Sequence, residues 1–195
     1  DYSQDRRRVY LIKGEAHFDV AKNPQRPFMV YAGEGMVWAV GTAFNVRYIS
    51  NNNNRYVDVT VTEGTVKIFA DLEPPASYDP KPTQASQEQL VDAGKSVQYS
   101  KVIKATQSTL PPVLEQKLAW QQGALIFKGE TLQQAIQEIA RYTDKELIIT
   151  DPTIKSIRVG GHYKTDDIDG LLVSISESLD IKLERKGSQL YLSSR

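Results

Sequence analysis

From Met36 to Tyr48 the sequence alternates without a break. Met36, Trp38, Val40, Thr42, Phe44, Val46 and Tyr48 share one parity; Ala39, Gly41, Ala43, Asn45 and Arg47 share the other, with Val37 the main apolar exception. Successive side chains of a strand point to opposite faces, so this period of two predicts one long strand over residues 36–48 with one buried face. A strand needs partners, and the flanking sequence offers them. Residues 10–20 are rich in β-formers and stop at Lys22-Asn23-Pro24-Gln25-Arg26-Pro27, whose prolines exclude a central strand. Strand character resumes over 28–31 before Gly33-Glu34-Gly35 turns the chain. After the polar Asn51 to Asn54 loop, Val57, Val59 and Val61 alternate again, and Glu63-Gly64 turns into residues 65–69. Residues 90–99 add one or two strands about an Ala93-Gly94 turn. Hairpins at this spacing predict a mainly β N-terminal domain over residues 1–105, its strands antiparallel and built as a sandwich or a roll. Residues 71–89, with Pro74, Pro75, Pro80 and Pro82, read as an exposed excursion from it.

The period then changes. Residues 106–117 are polar around a double proline and read as a linker. Beyond it a short strand at 124–127 precedes Thr131, with Gln134 three residues on, the pattern of a capping box. Leu132, Ala135, Ile136, Ile139 and Ala140 follow at helical spacing. A strand over 146–150 stops at Asp151-Pro152, and another covers 158–163. Asp166 or Asp167 caps a second helix with the stripe Ile168, Leu171, Leu172, Ile175 and Leu179. Residues 181–184 and 189–192 close as a hairpin about Lys186-Gly187-Ser188. Residues 118–195 are thus expected to form a small α+β module of β-α-β-β-α-β-β order.

Composition narrows the function classes. Among 195 residues, 24 Lys and Arg balance 24 Asp and Glu, where a nucleic-acid footprint would need a basic excess. Arg6-Arg7-Arg8 is offset by Asp1 and Asp5 and reads as a solvated end. The absence of cysteine excludes disulfides, thiolate metal sites and cysteine nucleophiles. Glu15, His17 and Asp19 share a strand face and carry metal-ligating groups. Alternation makes them the solvated face of a strand whose other face is Ala16, Phe18 and Val20. Gly33-Glu34-Gly35 lacks the third glycine of a dinucleotide fingerprint. No nucleophile elbow, P-loop or zinc-hydrolase helix is present, so neither a cofactor, a small-molecule ligand nor turnover catalysis is expected. A carbohydrate-binding domain would need clustered aromatics, and Tyr31, Tyr48 and Tyr56 fall on strands without a shared platform.

Gly41-Thr42 stands in the middle of the best strand. Glycine weakens a strand interior and marks a bulge or a close backbone approach. Two readings are open. Packing is one: only a hydrogen fits there, and Thr42 hydrogen-bonds locally. Self-cleavage is the other: a threonine hydroxyl can attack the preceding carbonyl, and a glycine removes the Cβ that would crowd the attack.

Gly14-Glu15-Ala16-His17-Phe18-Asp19-Val20, Arg26-Pro27-Phe28-Met29-Val30 and Val40-Gly41-Thr42-Ala43-Phe44-Asn45-Val46-Arg47 follow one another in a specific order. Residues 59–66 with Glu63-Gly64, and then Ala93-Gly94-Lys95, continue it. In this the chain resembles the FecR family of iron-responsive anti-sigma regulators. Residues 118–127, with Thr131-Leu132 and Ile139-Ala140-Arg141-Tyr142, are similar to that family's C-terminal part, a secretin and TonB short N-terminal (STN)-like module. The resemblance implies the periplasmic, signal-receiving region of a single-pass inner-membrane protein. Its expected partner is the signalling domain of an outer-membrane TonB-dependent siderophore transducer. A cytoplasmic domain outside this chain would handle an extracytoplasmic-function sigma factor. The family's β-domain usually starts with a strand pair before Arg8, so the chain is expected to begin inside that domain. Some members cleave themselves at the matching Gly-Thr, which makes Gly41 and Thr42 the candidate site. For the partner, a sheet edge that accepts an added strand is the physical candidate. The second module offers Arg158, Val159, His162 and Tyr163 on one strand, and Gln189, Leu190, Tyr191 and Leu192 on another. A structural module of a secretin-like assembly is the alternative reading.

Overall fold

The computed structural model describes residues 7–50, 55–72 and 86–195. The Asn51 to Asn54 loop and most of the predicted excursion lie outside these residues. The chain divides into two compact units, Asp1–Leu114 and Glu115–Arg195.

The first unit contains β1 (Arg7–Leu11), β2 (Gly14–Asp19), β3 (Phe28–Ala32), β4 (Gly35–Ala39), β5 (Ala43–Ser50), β6 (Arg55–Glu63), β7 (Thr65–Ala70), β8 (Gln87–Asp92), β9 (Lys95–Tyr99) and β10 (Gln107–Ser108). They form two five-stranded sheets, β1-β3-β4-β7-β8 and β10-β9-β6-β5-β2. Neighbours are antiparallel except the parallel β1–β3 pair. Val30, Val37, Ile68 and Val91 of the first sheet and Phe44, Val46, Val59 and Val97 of the second pack into one apolar cluster. The expected β-domain is therefore a sandwich.

Two strands expected to be continuous are broken. β4 ends at Ala39 and β5 starts at Ala43, and they belong to different sheets. The core parity changes between them. In β4 the odd residues Val37 and Ala39 enter the shared core, and in β5 the even residues Phe44 and Val46 do. Met36 instead joins Met29, Tyr31 and Leu72 in a second apolar cluster, with Trp38 packed against it. Apolar side chains on both faces of β4 kept the alternation unbroken through a corner at Gly41, where φ is +75°. Residues 10–20 are split in the same way. β1 and β2 lie in different sheets, and Gly14, which opens β2, has φ +88°.

The stretch read as a linker is ordered. Gln107 and Ser108 pair with Ser96 and Lys95, adding β10 to its sheet. Pro111-Pro112 opens a helix, α1 (Pro111–Leu118), because the first turn of a helix has no intrahelical use for the missing N–H.

The second unit follows the expected order. β11 (Ala124–Thr131) pairs with β13 (Arg158–Lys164), while β12 (Glu146–Ile149), β14 (Ile181–Lys186) and β15 (Gln189–Ser194) form a separate sheet. α2 (Leu132–Ile139) and α3 (Ile168–Ser178) supply Leu132, Ile139, Leu172 and Ile175 to a core shared with Phe127, Val159 and Leu192. The capping box at α2 is closed: the Gln134 N–H donates to Thr131 Oγ1 at 3.2 Å, and the Thr131 N–H donates to Gln134 Oε1 at 2.9 Å. At α3 the cap is Asp167, whose carboxylate accepts from the Gly170 N–H at 2.9 Å.

Candidate functional site

Gly41 and Thr42 form the corner that carries the chain from one sheet to the other. A Cβ on Gly41 would stand 2.8 Å from Lys22 Cα and 2.6 Å from Lys22 Cβ, and its φ of +75° disfavours any L side chain as well. The Val20 N–H donates to the Thr42 carbonyl at 3.0 Å, fixing the peptide on the far side of the corner. Immediately after it Ala43 pairs with Glu63 but Phe44 with Val61, a bulge that leaves Thr62 as the extra residue. Bulges redirect the side chains beside them. The Thr62 hydroxyl donates to the Ala43 carbonyl at 2.9 Å and holds the bulge in place.

Thr42 is 4% exposed. Its Oγ1 is buried and has no hydrogen-bond partner among the described residues. Leaving a buried hydroxyl unmade costs about 1–3 kcal/mol, so such a group calls for an explanation. The local hydrogen bond expected on the packing reading of Thr42 is therefore not made within the described residues. Around the corner the structure places three groups that the alternation gave no sign of: Val20, Lys22 and Gly64. The Glu63-Gly64 turn was legible as a turn, but nothing local in sequence said which residue it would touch.

Glu15, His17 and Asp19 share one face of β2, as expected, opposite Arg47, Asn45 and Ala43 of β5. The polar rows continue through Asp58 and Thr60 of β6 to Gln98 and Ser96 of β9. This face is only partly solvated: Asp19 is exposed, while the rows behind it are closed off. Asn45 is 2% exposed, Thr60 is fully buried and the Glu15 side chain is only 5% exposed. The Glu15 carboxylate accepts from Asn45 Nδ2 at 2.7 Å and lies 3.9 Å from Arg47 Nε; Gln98 Nε2 donates to Asp58 at 3.1 Å. Alternation separates two faces of a strand without saying which of them meets water. Burial pushes the His17 imidazole below its ordinary pKa, against a smaller opposing pull from Asp19. Among the described residues no three His, Cys, Asp or Glu side chains are grouped to hold a metal.

The two expected docking strands differ. β13 pairs only with β11, so Arg158, Val159, His162 and Tyr163 lie on a strand with one open side. Val159 points into the core, Arg158 donates to the Gly129 carbonyl at 2.8 Å, and the Tyr163 ring lies 5.9 Å from that of Phe127. β15 is the middle strand of its sheet, parallel to β12 and antiparallel to β14. The main chain of Gln189, Leu190, Tyr191 and Leu192 is therefore taken on both sides, and no added strand fits there. The hairpin to β14 was visible in sequence, whereas the parallel return to β12 left no local mark.

The tyrosines also depart from expectation. Tyr48 and Tyr56 line one cleft of about 150 Å³ together with Tyr99, Gly33 and Arg55, while Tyr31 stacks on Tyr10 at 5.0 Å elsewhere. Tyr99 is fully buried at the back of the cleft, its phenol pushed to higher pKa by that burial, and its hydroxyl donates to the Ala32 carbonyl at 3.1 Å.

Comparison with known proteins adds a second line of observation. The family model described as FecR protein matches residues 1–67, and the one described as FecR, C-terminal matches residues 124–192. Together they span more than two thirds of the sequence, one in each unit. The chain belongs to the FecR family. Gly41, Thr42 and Gly64 of this FecR-family chain all fall within the first match, and β13 within the second. No curated protein matches it. Two crystal structures of a candidate anti-sigma factor from Parabacteroides distasonis ATCC 8503, at 1.65 and 2.50 Å, share its fold. The first aligns with TM-score 0.70 at 19% identity over 100% of this chain and 84% of its own. The second aligns with TM-score 0.69 at 20% identity over 100% and 83%.

Proposed function

We propose that this chain is the periplasmic, signal-receiving region of an anti-sigma regulator anchored in the inner membrane. In this reading it binds the signalling domain of an outer-membrane TonB-dependent siderophore transducer. Iron or siderophore availability then passes to an extracytoplasmic-function sigma factor through a cytoplasmic domain outside this chain. The observation that carries the reading is the pair of FecR-family matches, one in each unit and in the family's order. The second unit, read as STN-like, is the docking half, and β13 is its natural edge: main-chain hydrogen bonds along an open strand supply affinity, and alternate side chains supply specificity. Titrating the chain calorimetrically with the isolated signalling domains of transducers from its own genome tests this. Saturable binding to one domain, weakened by proline substitution at His162, supports it; no binding to any of them sinks it.

The relay includes one self-processing event at Gly41–Thr42. Thr42 Oγ attacks the Gly41 carbonyl carbon, the C–O bond forms as the 41–42 C–N bond breaks, and the hydroxyl proton passes to the freed amine. Water then hydrolyses the ester, restoring the Thr42 hydroxyl and leaving a carboxylate on Gly41. The buried, unpartnered Oγ1 supports this reading. Intact mass of the chain with its natural flanking sequence decides it. Two fragments meeting between Gly41 and Thr42, lost in Thr42→Ala, are expected; a single intact chain in both would mark Gly41 as a packing residue only.

A further inference from the structure

The side chain of Thr42 has no hydrogen bond to hold it, yet it is buried, so contact alone sets its orientation. One neighbour is Gly64. A Cβ built on Gly64 would lie 2.9 Å from Thr42 Cγ2 and 3.3 Å from the Gly41 carbonyl oxygen. One backbone position thus borders both the nucleophile's side chain and the carbonyl that it would attack. Threonine χ1 has three staggered wells, and its methyl and hydroxyl turn together because both sit on Cβ. Displacing the methyl therefore re-aims the oxygen. The turn that carries Gly64 is itself fixed from the neighbouring hairpin: the Ala93 N–H donates to the Gly64 carbonyl at 2.8 Å, and the Gly94 N–H donates to the Val61 carbonyl at 2.9 Å.

We infer that Gly64 is a positioning residue for self-cleavage, keeping the Thr42 methyl in the space beside its α-carbon so that Oγ1 stays aimed at the Gly41 carbonyl. This inference rests on the self-processing reading above. It assigns to the Glu63-Gly64 turn a role beyond reversing the chain.

The test is a double-mutant cycle of Gly64→Ala with Thr42→Ser. Serine keeps the nucleophilic oxygen and deletes the methyl, while the strain of an alanine at φ +74° is the same in both backgrounds. Cleavage is followed by intact mass with and without hydroxylamine, which traps Gly41 of the ester as a hydroxamate, and circular dichroism reports the fold. Gly64→Ala is expected to slow cleavage by at least about tenfold in the threonine background, where a small misplacement of a reacting atom is costly. In the serine background the same substitution is expected to change the rate by less than about threefold. An equal loss in both backgrounds, no loss in either, or failure of Gly64→Ala to fold in both overturns the role of Gly64 while leaving self-cleavage standing. A wild-type chain that stays intact even with hydroxylamine overturns the self-processing reading, and the positioning role falls with it.

Discussion

Gly35 of β4 cedes its side-chain position to the ring of Tyr99 from the opposite sheet. A Cβ there would stand 2.4 Å from Tyr99 Cε2 and 2.5 Å from the Phe69 carbonyl oxygen. The second contact is backbone and has nowhere to go, so the glycine is needed for space. Gly35→Ala should therefore destabilise the first unit at the upper end of the 1–3 kcal/mol typical of overpacking, roughly 3 kcal/mol. Urea denaturation would show it as a fall in midpoint at unchanged slope. A midpoint equal to wild type would mean that the sheets part here at little cost.

The same tyrosine supplies a gentler probe. Its hydroxyl crosses between the sheets to the Ala32 carbonyl in a fully buried setting. Tyr99→Phe keeps the ring and deletes the donor, which should cost about 1–2 kcal/mol. Thermal unfolding monitored through the first unit reads it directly, and stabilisation would contradict the assignment.

In α3 two ordinary rules oppose each other. Alanine is a better helix former than glycine by about 1 kcal/mol, so Gly170→Ala would normally stabilise. Here the new Cβ would fall 2.2 Å from the Asp167 carboxylate that caps the helix. Losing that cap costs about 1 kcal/mol, so Gly170→Ala should be close to neutral. In an Asp167→Ala background the collision is gone, and the same substitution should stabilise by about 1 kcal/mol. Equal effects in the two backgrounds would disprove the coupling.

His17 gives the first unit a pH dependence of defined sign. Its folded pKa lies below the unfolded value of 6.5, chiefly because burial disfavours the cation. As pH falls below 6.5 the unfolded chain takes the proton first, so stability declines until the folded pKa is passed. Melting temperature should therefore fall between about pH 7 and pH 5 more steeply in wild type than in His17→Gln. A steeper fall in the variant would reverse the sign.

What could be read in the sequence was whatever is decided locally. Both helices of the second unit were legible because their caps and stripes lie within a few residues of each other: Thr131 with Gln134, and Asp167 ahead of Ile168 and Leu171. The strands of the first unit were legible as strands for the same reason. Their corners were not, since Met36 and Trp38 found a second apolar cluster and so preserved the alternation across a change of sheet. The burial of Glu15, Asn45 and Thr60 on the polar face was equally hidden, because polar rows look alike whether they meet water or one another.

The candidate site was half legible. Gly41-Thr42 stood out as glycine in a strand and as the matching pair of a family. Gly64 stood out only as part of a turn, since its contact with Thr42 joins segments that the fold, not the sequence, makes neighbours. The mistaken edge at residues 189–192 has the same origin: β12 is distant in sequence, and parallel pairing carries no hairpin signal.

The corner at Gly41 also has a mechanical meaning. Residues before it supply β1, β3 and β4 to one sheet and β2 to the other; residues after it supply the remaining strands of both. A chain parted at that bond would not fall into an upper and a lower half. Its two pieces would stay laced through each other, β4 against β7 and β2 against β5, and a pull on the leading piece would have to strip both seams before anything came free. Such a joint is silent at rest and gives way only under load.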